Sequence, residues 1–229
     1  MSQLALPLQL ADHAVFDSFL DSGNETLVAT LRAIAAGGRQ HGCWLFGKPA
    51  TGKTHLLQAA CEVAGDRASY IPLQYLSEAG PGILHGQASR ELLCLDDIDA
   101  VIGDSIWEGA LFELYNQLQD AGGRLIVAAS AAPRECRIRL ADLTSRLSGL
   151  PVFQLHALDE QQRVAALQLR SRHRGLELPE STAKYLLRRS RRDMASLYEL
   201  LDRLDKAALL AKRRLSVAFA RTVLRDDSS

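Results

Sequence analysis

The sequence predicts an α/β protein, a five-stranded parallel sheet with flanking helices followed by a small all-helical domain, and three observations predict it. Short apolar runs alternate with helix-period segments from residue 25 to residue 155, the pattern of a parallel sheet covered on both faces. Beyond Leu158 the alternation stops and only helical periodicity remains. Between the first apolar run and the helix after it stands a full G-x-x-x-x-G-K-T sequence, Gly47 to Thr54, in the strand-turn-helix setting that such a motif requires.

Composition narrows the class. A chain of 229 residues can bury a sizeable core as one large domain or two small ones, and 47% apolar with 24% charged residues is ordinary for a globular protein. No apolar stretch approaches the roughly 20 residues of a membrane span, and the N-terminus lacks the basic region and apolar core of a signal peptide. A cytoplasmic location is expected. The four cysteines, Cys43, Cys61, Cys94 and Cys136, lie far apart and read as buried reduced thiols; the six histidines never pair at a metal-ligand spacing. The net charge of zero hides a split: residues 1–155 carry 11 Lys/Arg against 17 Asp/Glu, and residues 156–229 carry 16 against 10. The C-terminal part is thus a separately charged unit that suits an acidic partner, although solvated helix faces are also often basic.

At the start, Leu4, Leu6 and Leu8 fall on one side of an extended segment in which Pro7 disfavours helix. It reads either as an edge strand or tail folded onto the core, or as a short peptide ligand for a grooved partner. Glu25 to Ala36 follows as a helix with Leu27, Val28, Leu31, Ile34 and Ala35 on one face, placed either to close over a nucleotide base or simply to pack. Next come the apolar run Cys43 to Phe46 and Gly47-Lys48-Pro49-Ala50-Thr51-Gly52-Lys53-Thr54. A glycine-rich turn opening a helix presents backbone N–H groups to phosphate at the positive end of the helix dipole. Lys53 reaches the outer phosphates and the Thr54 hydroxyl holds Mg²⁺, so ADP or ATP with Mg²⁺ is the expected ligand. An ordinary βα turn with two glycines is the competing reading, but it needs neither the lysine nor the threonine.

After the helix His55 to Val63, strands are predicted at Ala68 to Leu73 and Glu91 to Asp96. The latter is a continuous apolar run ending in Asp96-Asp97, at the strand end where ligands bind in open α/β sheets. Asp96 would hold Mg²⁺ and Asp97 would orient or activate water; the alternative is a helix cap, with Ile98-Asp99 following. A long helix, Ser105 to Ala121, precedes a strand at Leu125 to Ala129 that ends at Ser130, a side chain placed to sense a terminal phosphate or to open a turn before Pro133. Leu140 to Leu147 reads as a helix with Arg146 near its end, and Val152 to Leu155 is the fifth strand. Four helices complete the chain: from the Asp159/Gln162 capping box to Arg172, from Pro179 to about Ser190, from an Asp193 cap through Met194, Leu197, Leu201, Leu204 and Ala208, and from Ser216 through Leu224.

This order of phosphate loop, Asp96-Asp97, polar strand end, Arg146 and helical lid resembles the AAA+ ATPases. Gly52-Lys53-Thr54-His55-Leu56-Leu57, Leu95-Asp96-Asp97-Ile98 and Ser145-Arg146-Leu147 resemble the bacterial replication initiator DnaA. Residues 102–118 (IGDSIWEGALFELYNQL), residues 165–180 (AALQLRSRHRGLELPE) and the start Gln3-Leu4-Ala5-Leu6-Pro7-Leu8 resemble the Hda family, short DnaA homologues that switch the initiator off. The resemblance covers essentially the whole chain and implies three parts: a clamp-binding peptide (1–10), an AAA+ nucleotide-binding domain (11–157) and a helical lid (158–229).

It also implies roles. Gln3, Leu4, Leu6, Pro7 and Leu8 match a sliding-clamp-binding peptide, Arg146 the arginine finger, and Arg192 the lid arginine that senses nucleotide; residues Gly47 to His55 complete the nucleotide site. Guanidinium suits both arginine tasks because it stays charged and presents a planar fork to phosphate oxygens. From spacing alone, Arg146 also reads as a surface salt bridge and Arg192 as part of the basic run from Arg188. The family's strand-end sensor is commonly Asp, Asn or Thr, and Ser130 departs from it, which implies weak or no ATPase activity of the chain's own. The implied function is an adaptor that binds the clamp on DNA and stimulates hydrolysis of DnaA-bound ATP in trans, with self-association because a finger acts across a subunit boundary. The initiator's DNA-binding domain has no counterpart, so sequence-specific DNA binding is not expected. A stand-alone ATPase or helicase-loading motor is the enzyme alternative, and a DNA-binding module using the basic lid a weaker third.

Overall fold

A computed structural model describes residues 14–189 and 194–225. A 3-10 turn at Phe16–Ser18 leads to helix α1 (Glu25–Ala35), then strand β1 (Gly42–Phe46), α2 (Lys53–Ala64), β2 (Ala68–Pro72), a short α3 (Leu73–Leu76), β3 (Leu92–Asp96), α4 (Ser105–Asp120), β4 (Arg124–Ala129), α5 (Ala141–Ser148) and β5 (Val152–Gln154). Helices α6 (Glu160–His173), α7 (Glu180–Arg189), α8 (Met194–Ala211) and α9 (Val217–Arg225) follow. The strands pair in the order β2-β3-β4-β1-β5, every pair parallel.

Period-two alternation sends successive strand residues to opposite faces, and each face meets its own helices. Cys43, Leu45, Cys94, Ile126 and Ala128 pack under Leu27, Leu31 and Ile34 of α1 and Leu56 and Leu57 of α2. Trp44, Leu93, Leu95, Leu125 and Val127 pack under Trp107, Leu111, Leu114 and Leu118 of α4 and Leu143 and Leu147 of α5. The fully buried Trp44 donates its indole N–H to the Ala131 carbonyl at 2.9 Å, which ties the end of β4 to the middle of β1. The C-terminal helices build a separate core from Leu167, Leu186, Leu197, Leu201, Leu204 and Phe219.

Predicted and observed elements agree to within a residue or two, with informative exceptions. Strand β2 stops at Pro72, because Leu73 opens α3 instead of extending the ladder. Residues 77–90, left unassigned by periodicity, form a string of 3-10 turns. Helix α2 starts at Lys53, two residues before the predicted His55, so the lysine and threonine of the motif are helical. Cys43, Cys61 and Cys94 are buried free thiols, as expected, whereas Cys136 is only partly buried on the loop after β4. The predicted third lid-helix cap, Asp193, lies outside the described residues.

The register matters for the site. Phe46 pairs with Ala129 and Leu95 with Val127, so the carboxyl ends of β1, β4 and β3 deliver their loops along one edge of the sheet.

Candidate functional site

The loop Gly47 to Gly52 is shaped by contacts that only glycine permits. The Gly47 N–H donates to the Ala129 carbonyl at 3.3 Å, and a Cβ at Gly47 would lie 2.7 Å from the Leu155 carbonyl oxygen. Gly52 sits at φ 102°, with the Phe19 ring 2.7 Å from where its Cβ would be. Thr51 Oγ1 donates to the Lys48 carbonyl at 2.9 Å and braces the turn. The Lys53 ammonium donates to the Gly47 and Lys48 carbonyls at 3.0 and 3.4 Å and so lies over the loop. Gly52 is the N-cap of α2 and no side chain caps the helix, which leaves its first-turn N–H groups facing the loop mouth at the positive end of the dipole. Lys48, Pro49, Ala50 and Thr54 are exposed around that mouth. Backbone N–H groups, one ammonium and one hydroxyl, with glycine where a Cβ would fill the cradle, form a donor set that fits a chain of phosphates.

Along the sheet edge stand three carboxylates. Asp96 is 1% exposed; its Oδ2 accepts from the Tyr70 hydroxyl at 2.8 Å and its Oδ1 from the Asp97 N–H at 3.1 Å. Burial, reinforced by the Asp96 charge, pushes the Tyr70 phenol far above its ordinary range, so it stays a donor. Asp97 occupies the left-handed region at φ 52°, an unusual conformation for a residue with a Cβ. Burial and the charges of Asp96 and Asp99 raise its carboxyl pKa, while Lys53 pulls the other way, so the carboxyl and the ammonium share one field. Neither aspartate acts as a side-chain cap for the 3-10 turn at Ile98–Ala100, which corrects the helix-cap alternative.

Ser130 has a partner that spacing did not reveal. Its N–H and its hydroxyl both donate to Asp99, at 2.7 and 2.8 Å, stapling the end of β4 to the turn after β3. Asp99 and Tyr70 therefore belong to the site although sequence reasoning placed neither there. The i, i+2 spacing of Asp97 and Asp99 was the available signal for the first; for Tyr70 there was none, since only the β2–β3 register aligns it with the strand-end carboxylate.

Residues 19–24 run from the phosphate loop to the helical part. Phe19, Asn24, Gly52, His55, His156 and Tyr198 enclose a small cavity there. The buried Asn24 accepts from the His156 N–H at 2.9 Å, and Gln162 donates from its amide to Ser22 Oγ at 3.0 Å while closing the predicted capping box with Asp159. His55 packs its ring 5.5 Å from that of Phe19 and places Nε2 2.9 Å from the Val15 carbonyl, a contact that calls for the proton on that nitrogen. The structure thus ties His55 to the N-terminal segment.

Burial, with a smaller contribution from the Arg170 charge, lowers the His55 pKa to about 4. The unfolded chain takes up a proton near pH 6.5 that the folded chain refuses until about pH 4, so this histidine's contribution is complete above pH 6.5 and is lost as the pH falls. Between pH 7 and 5 the loss amounts to roughly 2 kcal/mol at about 1.4 kcal/mol per unit. Denaturant titrations at the two pH values, on the parent and on His55→Gln, should show a pH effect smaller by that amount in the variant; equal pH effects would assign the acid sensitivity elsewhere.

Leu143 and Leu147 turn one face of α5 inward, leaving Arg146 exposed and without an ion pair among the described residues. The salt-bridge alternative for Arg146 thus has no partner here. Arg192 and the peptide residues Gln3, Leu4, Leu6, Pro7 and Leu8 lie outside the described residues.

Domain III of DnaA from Thermotoga maritima superposes with a TM-score of 0.75 over 94% of this chain and 97% of that one, at 20% identity. AMPPCP-bound DnaA from Aquifex aeolicus gives 0.70 over 96% of this chain and 71% of that one, at 21% identity. The RuvB branch migration motor of Thermotoga maritima gives 0.67 over 94% and 72%, at 16% identity. These share the AAA+ architecture predicted from the sequence. Residues 159–224 match the family model described as Hda, lid domain. The chain has the fold of these AAA+ proteins, and its C-terminal helices match an Hda lid. In that Hda lid the Arg170 guanidinium lies 4.1 Å from the centre of the Tyr198 ring, at the wall of the cavity beside the phosphate loop. Arg174, almost fully buried, pairs with Asp202 at 2.5 Å and sits 3.6 Å from Asp205, which fixes α6 against α8. Thr182 donates to the Leu215 carbonyl at 3.0 Å and joins α7 to the segment before α9. Among the described residues, no helix is long and apolar enough to cross a membrane.

Proposed function

We propose that this DnaA-related regulator of replication initiation is an adaptor, one that binds the sliding clamp on DNA and presents Arg146 to ATP held by DnaA, promoting its hydrolysis. The Hda lid at residues 159–224 is the observation that carries the reading. ADP or ATP with Mg²⁺ would be held by Gly47 to Thr54, with Lys53 at the outer phosphates, Thr54 and Asp96 toward the metal and Arg192 from the lid. Such a ligand supplies a polyanion on which the loop and the lid converge. In this protein the nucleotide is a structural ligand: Ser130 gives its one hydroxyl proton to Asp99, and Asp99 brings a negative charge to the place where a phosphate sensor would act. That arrangement disfavours the stand-alone ATPase alternative. ATP turnover by the isolated protein, set against turnover in a mixture with DnaA and clamp-loaded DNA, tests the choice. Turnover that rises only in the mixture is expected; appreciable turnover alone with no gain in the mixture would overturn the adaptor.

Clamp binding is assigned to Gln3 to Leu8, with Leu6 and Leu8 entering an apolar groove and the Gln3 amide meeting polar groups at its edge. Two buried leucines at about 1.5–3 kcal/mol each, less the cost of ordering a tail, give modest affinity, so a ring with repeated sites and a self-associating partner must add avidity. Replacing both leucines by alanine should abolish capture on clamp-loaded DNA and leave nucleotide affinity unchanged. Retained capture would return the segment to an edge strand or packed tail.

A further inference from the structure

Helix α4 is amphipathic, yet Glu108 beside its apolar stripe is turned inward and is 1% exposed. A buried carboxylate is costly unless several donors meet it, and all of its donors are backbone N–H groups. Glu108 Oε1 accepts from Gly103 at 2.8 Å and from Arg139 at 3.1 Å; Oε2 accepts from Arg139 at 3.0 Å and from Leu140 at 2.8 Å. Gly103 belongs to the turn before α4, whereas Arg139 and Leu140 are the last two residues before α5.

Leu140 is the N-cap of α5, and its own side chain supplies no cap. Glu108 does so from a different helix, placing a negative charge at the positive end of α5. The apolar hold on α5 is the Leu143/Leu147 face, with Leu140 and Leu150 at its ends, packed against the α4 side of the sheet. Two leucines four residues apart are a greasy contact that tolerates sliding and rolling, whereas hydrogen bonds to two consecutive N–H groups fix both the height and the rotation of the helix start. Arg146 sits six residues along from Leu140, about 9 Å at 1.5 Å per residue, so a small rotation at the cap displaces its guanidinium sideways. In the loop before the cap, residues 131–138, Pro133 is buried and Cys136 and Ile138 pack on the core, so the bonds from Arg139 and Leu140 to Glu108 join an anchored loop to the start of α5.

We propose that Glu108 is the positioning residue of the arginine finger: it locks the N-terminus of α5 so that Arg146 stands at a fixed place and angle on the surface. The inference rests on the trans-acting role given to Arg146. It makes Glu108 necessary for the efficiency of the finger and unnecessary for this chain's own nucleotide or for meeting its partners.

The test uses the full chain as parent, E108A, E108Q and R146A in the mixture with DnaA and clamp-loaded DNA. Glutamine keeps the shape but offers one acceptor and turns an NH₂ toward N–H groups that need acceptors, so it should act as a partial loss. Expected for E108A is a fall of tenfold or more in maximal stimulation, with an intermediate fall for E108Q. The protein concentration giving half-maximal stimulation and the affinity for ADP should stay within about twofold of the parent. Faster amide exchange at Arg139 and Leu140 in both variants would accompany it. General unfolding would move all of these together, and E108Q keeps the test open where E108A fails to fold. Parental stimulation by E108Q, or a loss confined to half-saturation or ADP affinity, would overturn the role of Glu108. If R146A stimulates like the parent, the finger reading and the positioning role fall together; if R146A is inactive while both Glu108 variants act normally, only the positioning role falls.

Discussion

Lys53→Ala should lose nucleotide affinity by about a hundredfold or more while the protein keeps its fold. The Lys53 ammonium donates to the Gly47 and Lys48 carbonyls and lies over the loop, the place from which it would meet outer phosphates. Charge-assisted hydrogen bonds to phosphate contribute about 1.5–3 kcal/mol each, and two of them correspond to a hundredfold or more. The cost to folding should be modest: the side chain is partly exposed and water replaces the donor at the exposed Lys48, while the buried Gly47 loses one hydrogen bond. A second consequence has a definite sign. Lys53 is the charge that lowers the Asp97 pKa against burial and two neighbouring carboxylates, so its removal should raise that pKa further. Isothermal titration with ADP and ATP, alongside thermal unfolding of the unliganded variant, checks both halves. Parental affinity in a folded Lys53→Ala protein would remove the phosphate loop from the nucleotide site.

The parts of this site that could be read from the sequence are those whose chemistry is local. Gly47, Gly52, Lys53 and Thr54 are fixed by one turn and one helix start, and both glycines stand where a Cβ would collide, so the spacing alone carried the geometry. The sheet was legible because a strand buried on both faces must be apolar throughout, as Leu92 to Leu95 are. What escaped depends on residues brought together across the sheet. Tyr70 meets Asp96 because β2 and β3 pair in one particular register, and Asp99 meets Ser130 because β3 and β4 lie side by side; the spacing of Asp97 and Asp99 hinted at the second carboxylate, but neither partner could be read from it. Glu108 was hidden for a related reason. A glutamate near the start of an amphipathic helix reads as a first-turn charge on the solvated face, and the N–H groups that bring it inside come from Gly103 in the turn before and from the distant Arg139 and Leu140. Residues 77–90 carried no period because their 3-10 turns are too short to repeat one.

Arg146→Ala should reduce stimulation of DnaA-bound ATP hydrolysis by about a thousandfold or more, the range over which an arginine supplied in trans acts on a phosphoryl-transfer transition state. The residue is exposed, bears no ion pair among the described residues, and follows the pattern of α5, whose inward face is Leu143 and Leu147. A cation so placed contributes little to this chain's stability, so the variant should unfold within about 0.5 kcal/mol of the parent. The nucleotide site proposed for this chain lies on β1, α2 and the ends of β3 and β4, away from Arg146, and should bind ADP as before. Arg146→Lys separates charge from geometry. An ammonium keeps the positive charge but not the planar fork that grips two phosphate oxygens at once, so lysine should recover only a small part of the lost stimulation. Full recovery by lysine would mean that the residue contributes a general field rather than a positioned contact, and Glu108 would then have little to position. Undiminished stimulation by Arg146→Ala would remove the trans-acting finger altogether. Loss in the mixture, with stability and ADP binding preserved, would leave one account standing: an exposed guanidinium, held out on a short helix, acts on a nucleotide that another protein holds.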